Sequence, residues 1–525
     1  MSAFEDLRAR YFVLADSGGS IGGGDPGIIR YAGCEVIPHV GGASYFRALR
    51  DAIVQPDVSY VYLAGWLCDP DFQIVPGTKL ADLLRARSKA GVDVRVLGWV
   101  MAPEVLNNPA VTSGRVNLGG IDTTVNEPTM KFVQGLRLGE PTMVTKALLN
   151  VIAHPAGAVH TKFALVGRPS GDVGFTGGID AYPDRVRPAW HDVQAEVRGQ
   201  ATQGMYDLFR AMWNENISRS PVTVKAGSTS MVSRAPSSPG LGGRSVPGVL
   251  AGTKHVQGGI TVPRMSFSML ASMGGSVSGT TLPKNREISF APNGQFDVKR
   301  LWHKAVRASD TYIYMEDQSF CSDEIFDWVN ATLKARPAVK VVLLNGRQDP
   351  NNPNPVPLLK LMRRSINDHL LKGLSKADID NRVAFVLNNA KTVHTKSTIV
   401  DDNWAMIGSA NVMRRSLYTD LEHVVTFMDE AGTGVPAYRK ALFNAHLGSP
   451  GAATAAAGLA RWFALPYHDP ATPRPVSRLR LPFTTGVSLS SAEETLINEL
   501  LDVDSRNAWG SGLASLAMSA AGVGS

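Results

Sequence analysis

A four-residue pattern that occurs twice constrains this chain more than any other feature. Val-His-Thr-Lys stands at residues 159–162 and again at residues 393–396, and each copy runs into a short apolar stretch that ends in Gly-Gly or Gly-Ser. A single histidine on a strand is usually a structural residue, but a pattern of several residues seldom recurs in one chain by chance. The same helix-strand-helix-strand order is expected before both copies, which predicts an internal duplication. The pattern therefore predicts one active site built from two similar halves.

The spacing within each copy suits the binding of a phosphate group. His-x-Lys before an apolar run predicts a strand, in which residues two apart point to the same face. His160 would then share a face with Lys162, and His394 with Lys396. Lysine offers a positive charge to phosphate oxygens, and neutral imidazole is a nucleophile or a base near pH 7.

Further polar residues follow each copy at corresponding places. Asn411 follows a Gly-Ser-Ala turn and can donate a hydrogen bond, whereas Asp180 holds the matching place in the first half. An ionised carboxylate cannot donate to phosphate, so the two halves are not equivalent. Asp192 and Glu422 also correspond, and each could accept the second ring N–H of its histidine and select the tautomer.

The second copy, with Asp401 and the later Gly-Ser-x-Asn and Glu422, resembles the duplicated histidine-lysine-aspartate motif of the phospholipase D superfamily, and bacterial phospholipase D in particular. Residues 314–320, Tyr-Met-Glu-Asp-Gln-Ser-Phe, resemble the strand and turn of the second half in these lipases. Residues 190–194, Trp-His-Asp-Val-Gln, resemble the end of the first half.

The resemblance covers residues 34–216 and 287–445, with one departure. Gly167 stands where the family usually has aspartate, and the turn that follows is three residues longer than in the second half. Asp172 in that turn is a candidate substitute. In the family this aspartate is thought to support the site, so the departure bears on activity without excluding it.

The resemblance implies both a fold and a mechanism. The fold is α/β: two duplicated phospholipase D-like halves, each a mixed, largely parallel sheet flanked by helices, facing each other across one active site. One histidine, which we assign as His160, would attack phosphorus to form a phosphohistidine, and His394 would protonate the leaving alcohol and then activate water or an acceptor alcohol. Lysines would stabilise the phosphoryl charge, so no metal or cofactor is expected. The residues expected to be catalytic are His160, Lys162, Asp192, His394, Lys396, Asp401, Asn411 and Glu422, and those expected to contact the substrate are Asp180, Ser409 and Gln318.

The expected organisation is two halves joined by a linker and followed by a tail. The boundaries are residues 1–217 for the first half, 218–286 for a Ser-, Gly- and Pro-rich linker or mobile insertion, 287–447 for the second half, and 448–525 for an accessory tail. Residues 265–273 form an apolar island in the linker, which suits either a flap near the site or an ordered β-rich crossover. A basic amphipathic helix over residues 358–371 could face anionic lipid.

Composition limits the class of protein. No apolar run approaches 18 residues and the start shows no signal peptide, so neither a membrane span nor Sec export is expected. A cytoplasmic location is expected, with signal-independent export left open. Three widely spaced cysteines predict neither a disulfide framework nor a zinc site. A net charge of +7 fits an anionic partner such as a phospholipid surface or nucleic acid.

The favoured function at this stage is phospholipase D activity: hydrolysis of the distal phosphodiester of a glycerophospholipid to phosphatidic acid and a free alcohol, with transfer to another alcohol as a second outcome. The partners would be a phospholipid at a membrane surface and water or an alcohol, and a monomer would suffice because one chain carries both half-sites. Alternatives are a nuclease or other phosphodiesterase of the same superfamily, a phosphatidyl transferase similar to cardiolipin synthase, and a lipid-binding protein without activity. An aromatic content of 7% and dispersed basic residues disfavour nucleic acid.

Overall fold

The computed structural model describes residues 3–13, 28–101, 126–154, 157–264, 287–346, 356–448 and 454–498. Within them, one mixed sheet of 16 strands carries helices on its faces. The first ten strands of the chain are β1 (Arg30–Val40), β2 (Tyr60–Gly65), β3 (Gln73–Val75), β4 (Thr78–Lys79), β5 (Asp93–Trp99), β6 (Ala147–Asn150), β7 (Phe163–Gly167), β8 (Val173–Gly177), β9 (Trp190–His191) and β10 (Val193–Arg198). The remaining strands are β11 (Thr223–Ala226), β12 (Thr229–Val232), β13 (Lys254–Val262), β14 (Gln295–Phe296), β15 (Tyr312–Glu316), β16 (Lys340–Gly346), β17 (Val383–Asn388), β18 (Thr392–Val393), β19 (Ser397–Val400), β20 (Trp404–Gly408), β21 (Glu422–Asp429) and β22 (Val476–Arg478).

Helices follow most of the strands. They are α1 (Ala3–Tyr11), α2 (Gly42–Ile53), α3 (Leu80–Lys89), α4 (Asn126–Gly139), α5 (Thr202–Ser218), α6 (Asp297–Ala308), α7 (Asp323–Ala335), α8 (Pro357–Ser365), α9 (Lys376–Arg382), α10 (Arg414–Tyr418), α11 (Gly434–Leu447), α12 (Ala455–Phe463) and α13 (Ser491–Leu496). Helix α6 shows why the sequence forms them: Val298, Leu301, Trp302 and Ala305 recur at helical spacing and are all buried. Such a stripe places one helix face against the sheet.

The two halves repeat the same order of strands. The first reads β6-β5-β2-β7-β8-β10-β1, and the second reads β17-β16-β15-β19-β20-β21-β13. In each half the first three strands are parallel and the others are antiparallel. Antiparallel pairing of β1 with β13 joins the halves. The predicted mixed α/β fold with helices on the sheet is confirmed, and within the 16-stranded sheet parallel pairing is confined to those first three strands of each half.

The sheet includes segments that were expected outside the halves. Strand β13 lies at its centre, although the linker was placed over residues 218–286. Strand β22 extends its edge beside β17, so the tail contributes to the core. At the other end of the chain, α1 packs on the second half, where the Tyr11 hydroxyl donates to Asp401 at 2.7 Å. The apolar island at residues 265–273 and the Gly-rich loop at residues 16–27 lie outside the described residues.

The basic helix expected to face lipid packs on the tail instead. It runs as α8 to Ser365 and continues as a π-helical turn to Leu370. Lys360 binds Glu493 at 2.8 Å, and Arg364 binds Glu494 at 2.7 Å, so both charges are paired. All three cysteines are buried, and none of them forms a disulfide. Among the described residues no helix has the length and apolar character needed to cross a bilayer.

Candidate active site

The two Val-His-Thr-Lys segments meet where the halves face each other. Strands β7 and β19 begin at Phe163 and Ser397, directly after the lysines, so the prediction that the histidines lie within these strands was wrong. Each segment pairs instead with the other half of the molecule. Val159 forms a parallel bridge with Leu421, and β18 pairs in parallel with β9.

This pairing between halves carries the histidines to their carboxylates. The backbone N–H of His160 donates to the Leu421 carbonyl at 2.8 Å, and that of His394 donates to the His191 carbonyl at the same distance. The residues that come next along the chain are Glu422 and Asp192. Each histidine therefore lies beside the carboxylate of the opposite half.

The resulting hydrogen bonds are crossed. Nδ1 of His160 lies 3.1 Å from both carboxylate oxygens of Glu422, and Nδ1 of His394 lies 2.7 Å from Oδ2 of Asp192. Both histidines are more than nine-tenths buried. A carboxylate at Nδ1 places the ring proton there and leaves Nε2 with a lone pair for phosphorus or for a proton. Sequence order alone would have paired each histidine within its own half.

The environments of the two carboxylates differ. Burial raises the pKa of Asp192 to about 6. Burial acts in the same direction on Glu422, but the neighbouring His160 and hydrogen bonds from His160 and Ser409 hold its pKa below the usual value. The Ser409 and Ser416 hydroxyls both donate to Glu422. Ser409, expected to contact the substrate, thus supports the carboxylate beside His160.

Glycine takes the place of that serine in the first half. Gly178 corresponds to Ser409, and a Cβ atom at Gly178 would lie 2.2 Å from Oδ1 of Asp192. The Asp192 carboxylate occupies this space, so a side chain there would displace it. Glycine at position 178 thus leaves room for the Asp192 carboxylate, whereas serine at the corresponding position 409 donates a hydrogen bond to Glu422.

Both lysines are buried beside the histidines. Lys162 Nζ donates to the His160 carbonyl at 2.8 Å, and Lys396 Nζ donates to the His394 carbonyl. Burial lowers the pKa of Lys162, and it lowers that of Lys396 to about 8. Burial also holds the pKa of His394 well below its usual value, and the charges of Lys396 and other nearby cations act in the same direction. These surroundings therefore favour the neutral form of His394.

Each lysine has a buried carboxylate nearby, supplied by a different loop in each half. Asp180 in the β8–β10 loop lies 3.8 Å from Lys162 and accepts the Leu67 N–H. In the second half Asp317, directly after β15, accepts the Val412 N–H. Its negative charge acts to raise the pKa of Lys396 and so partly offsets the lowering by burial. Burial raises the pKa of Asp317 itself to about 7.

Asp317 is a site residue that the sequence reasoning missed. Its neighbour Gln318, expected to contact the substrate, is exposed on the turn after β15. The signal that could have identified Asp317 was its position at the carboxyl end of a buried strand. Asn411 is 6% exposed, and its side-chain Oδ1 is a buried acceptor without a hydrogen-bond partner among the described residues. The Nδ2 group of the same amide is a donor, which suits a ligand oxygen.

Asp401 takes no part in the histidine cluster. It lies beyond the far end of β19, where its carboxylate accepts the backbone N–H groups of Asp310, Thr311 and Tyr312 at 2.6 to 2.8 Å. Three neighbouring hydroxyls also donate to it. The expected catalytic role of Asp401 is therefore corrected: its carboxylate holds the turn between α6 and β15.

The first half holds the corresponding turn without an aspartate. The Gly167 carbonyl accepts the backbone N–H of Ser59 at 2.9 Å and its hydroxyl at 3.1 Å. Asp172 accepts the Tyr60 hydroxyl, as Asp402 of the second half accepts that of Tyr312. Asp172 therefore anchors a tyrosine and does not replace Asp401.

Among the described residues, one buried group has the composition of a metal site. Glu316 lies 2.8 Å from Nε2 of His191 and 3.2 Å from Nε2 of His446, directly behind Asp192. The Asn388 amide donates to Nδ1 of His446, and its oxygen is fixed in that orientation by two backbone N–H groups. The His446 proton must then lie on Nε2, the atom that a metal would need. These residues fit a hydrogen-bond network better than a metal ion.

The comparisons with known proteins bear on the second half of the chain. Its residues 303–439 match the family model described as "Cardiolipin synthase, PLD-like domain". These residues are therefore similar to a phospholipase D-like domain. The match supports the phospholipase D superfamily, and with it an enzyme that acts on phosphodiester bonds. No curated protein matches the chain.

Two solved structures resemble about four-fifths of the chain weakly. Phosphatidylserine synthase from Haemophilus influenzae Rd KW20 aligns over 78% of this chain and 85% of its own, with a TM-score of 0.46 and 11% identity. Polyphosphate kinase from Porphyromonas gingivalis aligns over 78% of this chain and 50% of its own, with a TM-score of 0.40 and 11% identity.

Proposed function

We propose that this protein transfers a phosphatidyl group from a phospholipid to an acceptor alcohol through a phosphohistidine. The observation that carries the proposal is the pair of buried histidines, His160 and His394, each with its Nδ1 on a carboxylate of the opposite half. The description of the matching family model, cardiolipin synthase, favours an alcohol acceptor over water. Hydrolysis to phosphatidic acid, the function favoured from the sequence, is the competing outcome.

The reaction would take two displacements at phosphorus. In the first, Nε2 of His160 attacks, a P–N bond forms, and the P–O bond to the head-group alcohol breaks while His394 gives that oxygen a proton. In the second, His394 takes the proton of the acceptor alcohol, whose oxygen attacks phosphorus and breaks the P–N bond. The product is a new phosphodiester, and both histidines return to their starting forms.

The two carboxylates support this assignment of roles. Because the pKa of Glu422 is lowered, it remains ionised and can stabilise the positive charge that develops on His160 during attack. The surroundings of His394 hold its pKa low and favour the neutral ring. A bound phosphate anion would raise this pKa, so that His394 could take up the proton that a general acid must carry. Asp192 would then hold the ring of the protonated His394.

The remaining residues would bind the phosphoryl oxygens. Lys162 and Lys396 place two ammonium groups in a buried pocket, where charges stabilise an anionic transition state more strongly than in water. The Asn411 amide adds a neutral donor. Asp180 and Asp317 would balance the lysines when no substrate is bound.

Phospholipid vesicles with an added alcohol test the proposal. We expect vesicles of phosphatidylethanolamine with added glycerol to yield phosphatidylglycerol and free ethanolamine, measured by mass spectrometry. His160→Ala and His394→Ala should each lower the rate by at least about 10³-fold. His369→Ala, a partly exposed histidine on the π-helical turn, is the matched control and should keep the rate. Phosphatidic acid as the sole product at high glycerol would favour hydrolysis, and no lipid product from folded protein would refute both.

Trapping the intermediate tests which histidine is the nucleophile. Acid-free digestion and mass spectrometry of protein quenched during turnover should place phosphorus on His160. His394→Ala should accumulate this adduct with substrates whose alcohol leaves without protonation, whereas His160→Ala should form none. Phosphorus on His394 in the unaltered protein would reverse the two roles.

A further inference from the structure

The two halves carry corresponding arginines with different partners. Arg185 stands seven positions before Asp192, and Arg415 stands seven positions before Glu422. Arg415 donates to both oxygens of Asp420, at 2.6 and 2.8 Å. The residue two positions before Asp192, where the second half has Asp420, is a tryptophan. The first half therefore keeps the cation and replaces its counterion with an indole ring.

Arg185 uses this ring as a support. Its guanidinium carbon lies 3.8 Å from the ring centre of Trp190, and the residue is 7% exposed. Among the described residues no side-chain or backbone acceptor binds this guanidinium, and its Nε is a buried donor without a partner. A ring accepts stacking from the flat face of the guanidinium and leaves the N–H edge unused. Arg185 is thus a buried cation whose hydrogen-bond donors are available.

The arginine lies at the catalytic pocket. The Trp190 ring that supports it is 5.2 Å from the His394 ring, centre to centre. Its charge is close enough to act on the pKa values of His394, Lys396 and Lys162. An anion bound in this pocket would accept hydrogen bonds from the guanidinium N–H groups of Arg185.

We propose that Arg185, supported by Trp190, is an oxyanion-binding residue beside His394 that binds the lipid substrate of the proposed transfer. The ligand chemistry is a phosphoryl or carboxylate oxygen, which matches the fork of N–H groups that guanidinium presents. Two sources can supply it: a non-bridging oxygen of the scissile phosphate, or a second anionic group on the lipid head group. The proposal rests on the proposed function for the identity of the substrate, but the binding of an anion can be measured without turnover.

Calorimetric titration with inorganic phosphate tests the residue directly. Arg185→Gln should weaken phosphate binding by about tenfold or more, as expected for losing a charge-assisted hydrogen bond. Arg185→Lys should weaken it less, since the charge remains and the fork is lost. Arg187→Gln is the matched control, because its exposed side chain is paired with Asp184 on the same loop, and it should bind phosphate as the unaltered protein does. Thermal unfolding checks that the variants are folded.

Lipid kinetics distinguish the two sources. A KM raised equally for phosphatidylethanolamine and phosphatidylserine by Arg185→Gln would place the arginine on the scissile phosphate. A KM raised for phosphatidylserine alone would place it on the head-group carboxylate. Unchanged phosphate affinity together with an unchanged KM for both lipids would overturn the proposal. Weakened phosphate binding in a protein that processes no lipid would retain the anion site and reject phosphatidyl transfer.

Discussion

Replacing Gly167 by aspartate would restore the first motif to the form that the second half carries, and it should destabilise the protein. A Cβ atom at Gly167 would lie 1.8 Å from the Tyr60 ring, with two more ring atoms within 2.4 Å. Tyr60 is 3% exposed and stacks on Tyr62 with ring centres 4.4 Å apart. Its hydroxyl donates to Asp172, and the guanidinium carbon of Arg244 lies 4.7 Å from the centre of its ring. The ring therefore cannot move aside without losing these contacts.

The size of the effect follows from these contacts. Overpacking a buried site costs about 1–3 kcal/mol. Displacing the Tyr60 hydroxyl from the Asp172 carboxylate costs about 1.5–3 kcal/mol more, since a hydrogen bond to a charged group is lost. We expect Gly167→Ala and Gly167→Asp to lower the free energy of unfolding by about 3–5 kcal/mol.

Thermal and urea unfolding of the variants provide the assay. Gly135→Ala is the control, because Gly135 lies inside α4 with no atom within 4 Å of an added Cβ. That change should be neutral or stabilise by up to about 1 kcal/mol. If Gly167→Asp unfolds at the same temperature as the unaltered protein, or above it, the argument that Tyr60 occupies the position of the motif aspartate is refuted.

Three further predictions follow from the site. Because each histidine is paired with the carboxylate of the opposite half, Asp192→Asn should reproduce the kinetic defect of His394 variants, and Glu422→Gln should not. Measuring the phosphohistidine yield separately from product release distinguishes the two defects, and a defect of the His394 type in Glu422→Gln alone would contradict this pairing. Turnover should rise with pH through about 6, as Asp192 ionises, and fall through about 8, as Lys396 loses its proton; a rate independent of pH from 5 to 9 would contradict these pKa values. Asp401→Asn should lower the free energy of unfolding by about 2 kcal/mol, while its turnover rate at low temperature stays within about threefold of that of the unaltered protein. A variant that loses turnover but keeps its stability would restore a catalytic role for Asp401.

Much of the fold was predictable because its signals are local. The helix-strand-helix-strand order expected before each copy is observed as α2, β2, α3 and β5 in the first half, apart from the short β3–β4 hairpin, and as α6, β15, α7 and β16 in the second. The duplication followed from comparing the two halves of the chain. The places of β13 and β22 could not be predicted, because a strand's partners depend on which edges other segments leave open. A Ser-, Gly- and Pro-rich composition concealed a strand at the centre of the sheet.

The sequence by itself determined the chemistry of the site: two histidines and two lysines in a repeated pattern, with an asparagine and carboxylates at matching distances. Tertiary structure alone decided which carboxylate serves which histidine, since Asp192 and His394 are 202 positions apart and meet through the pairing of β9 with β18. It also decided that Asp317 is buried beside a lysine and that Arg185 forms no ion pair with any of the described residues. The physical reason is that residue type and spacing specify what a side chain can do, whereas its hydrogen-bond partners and its pKa depend on the neighbours that folding brings to it.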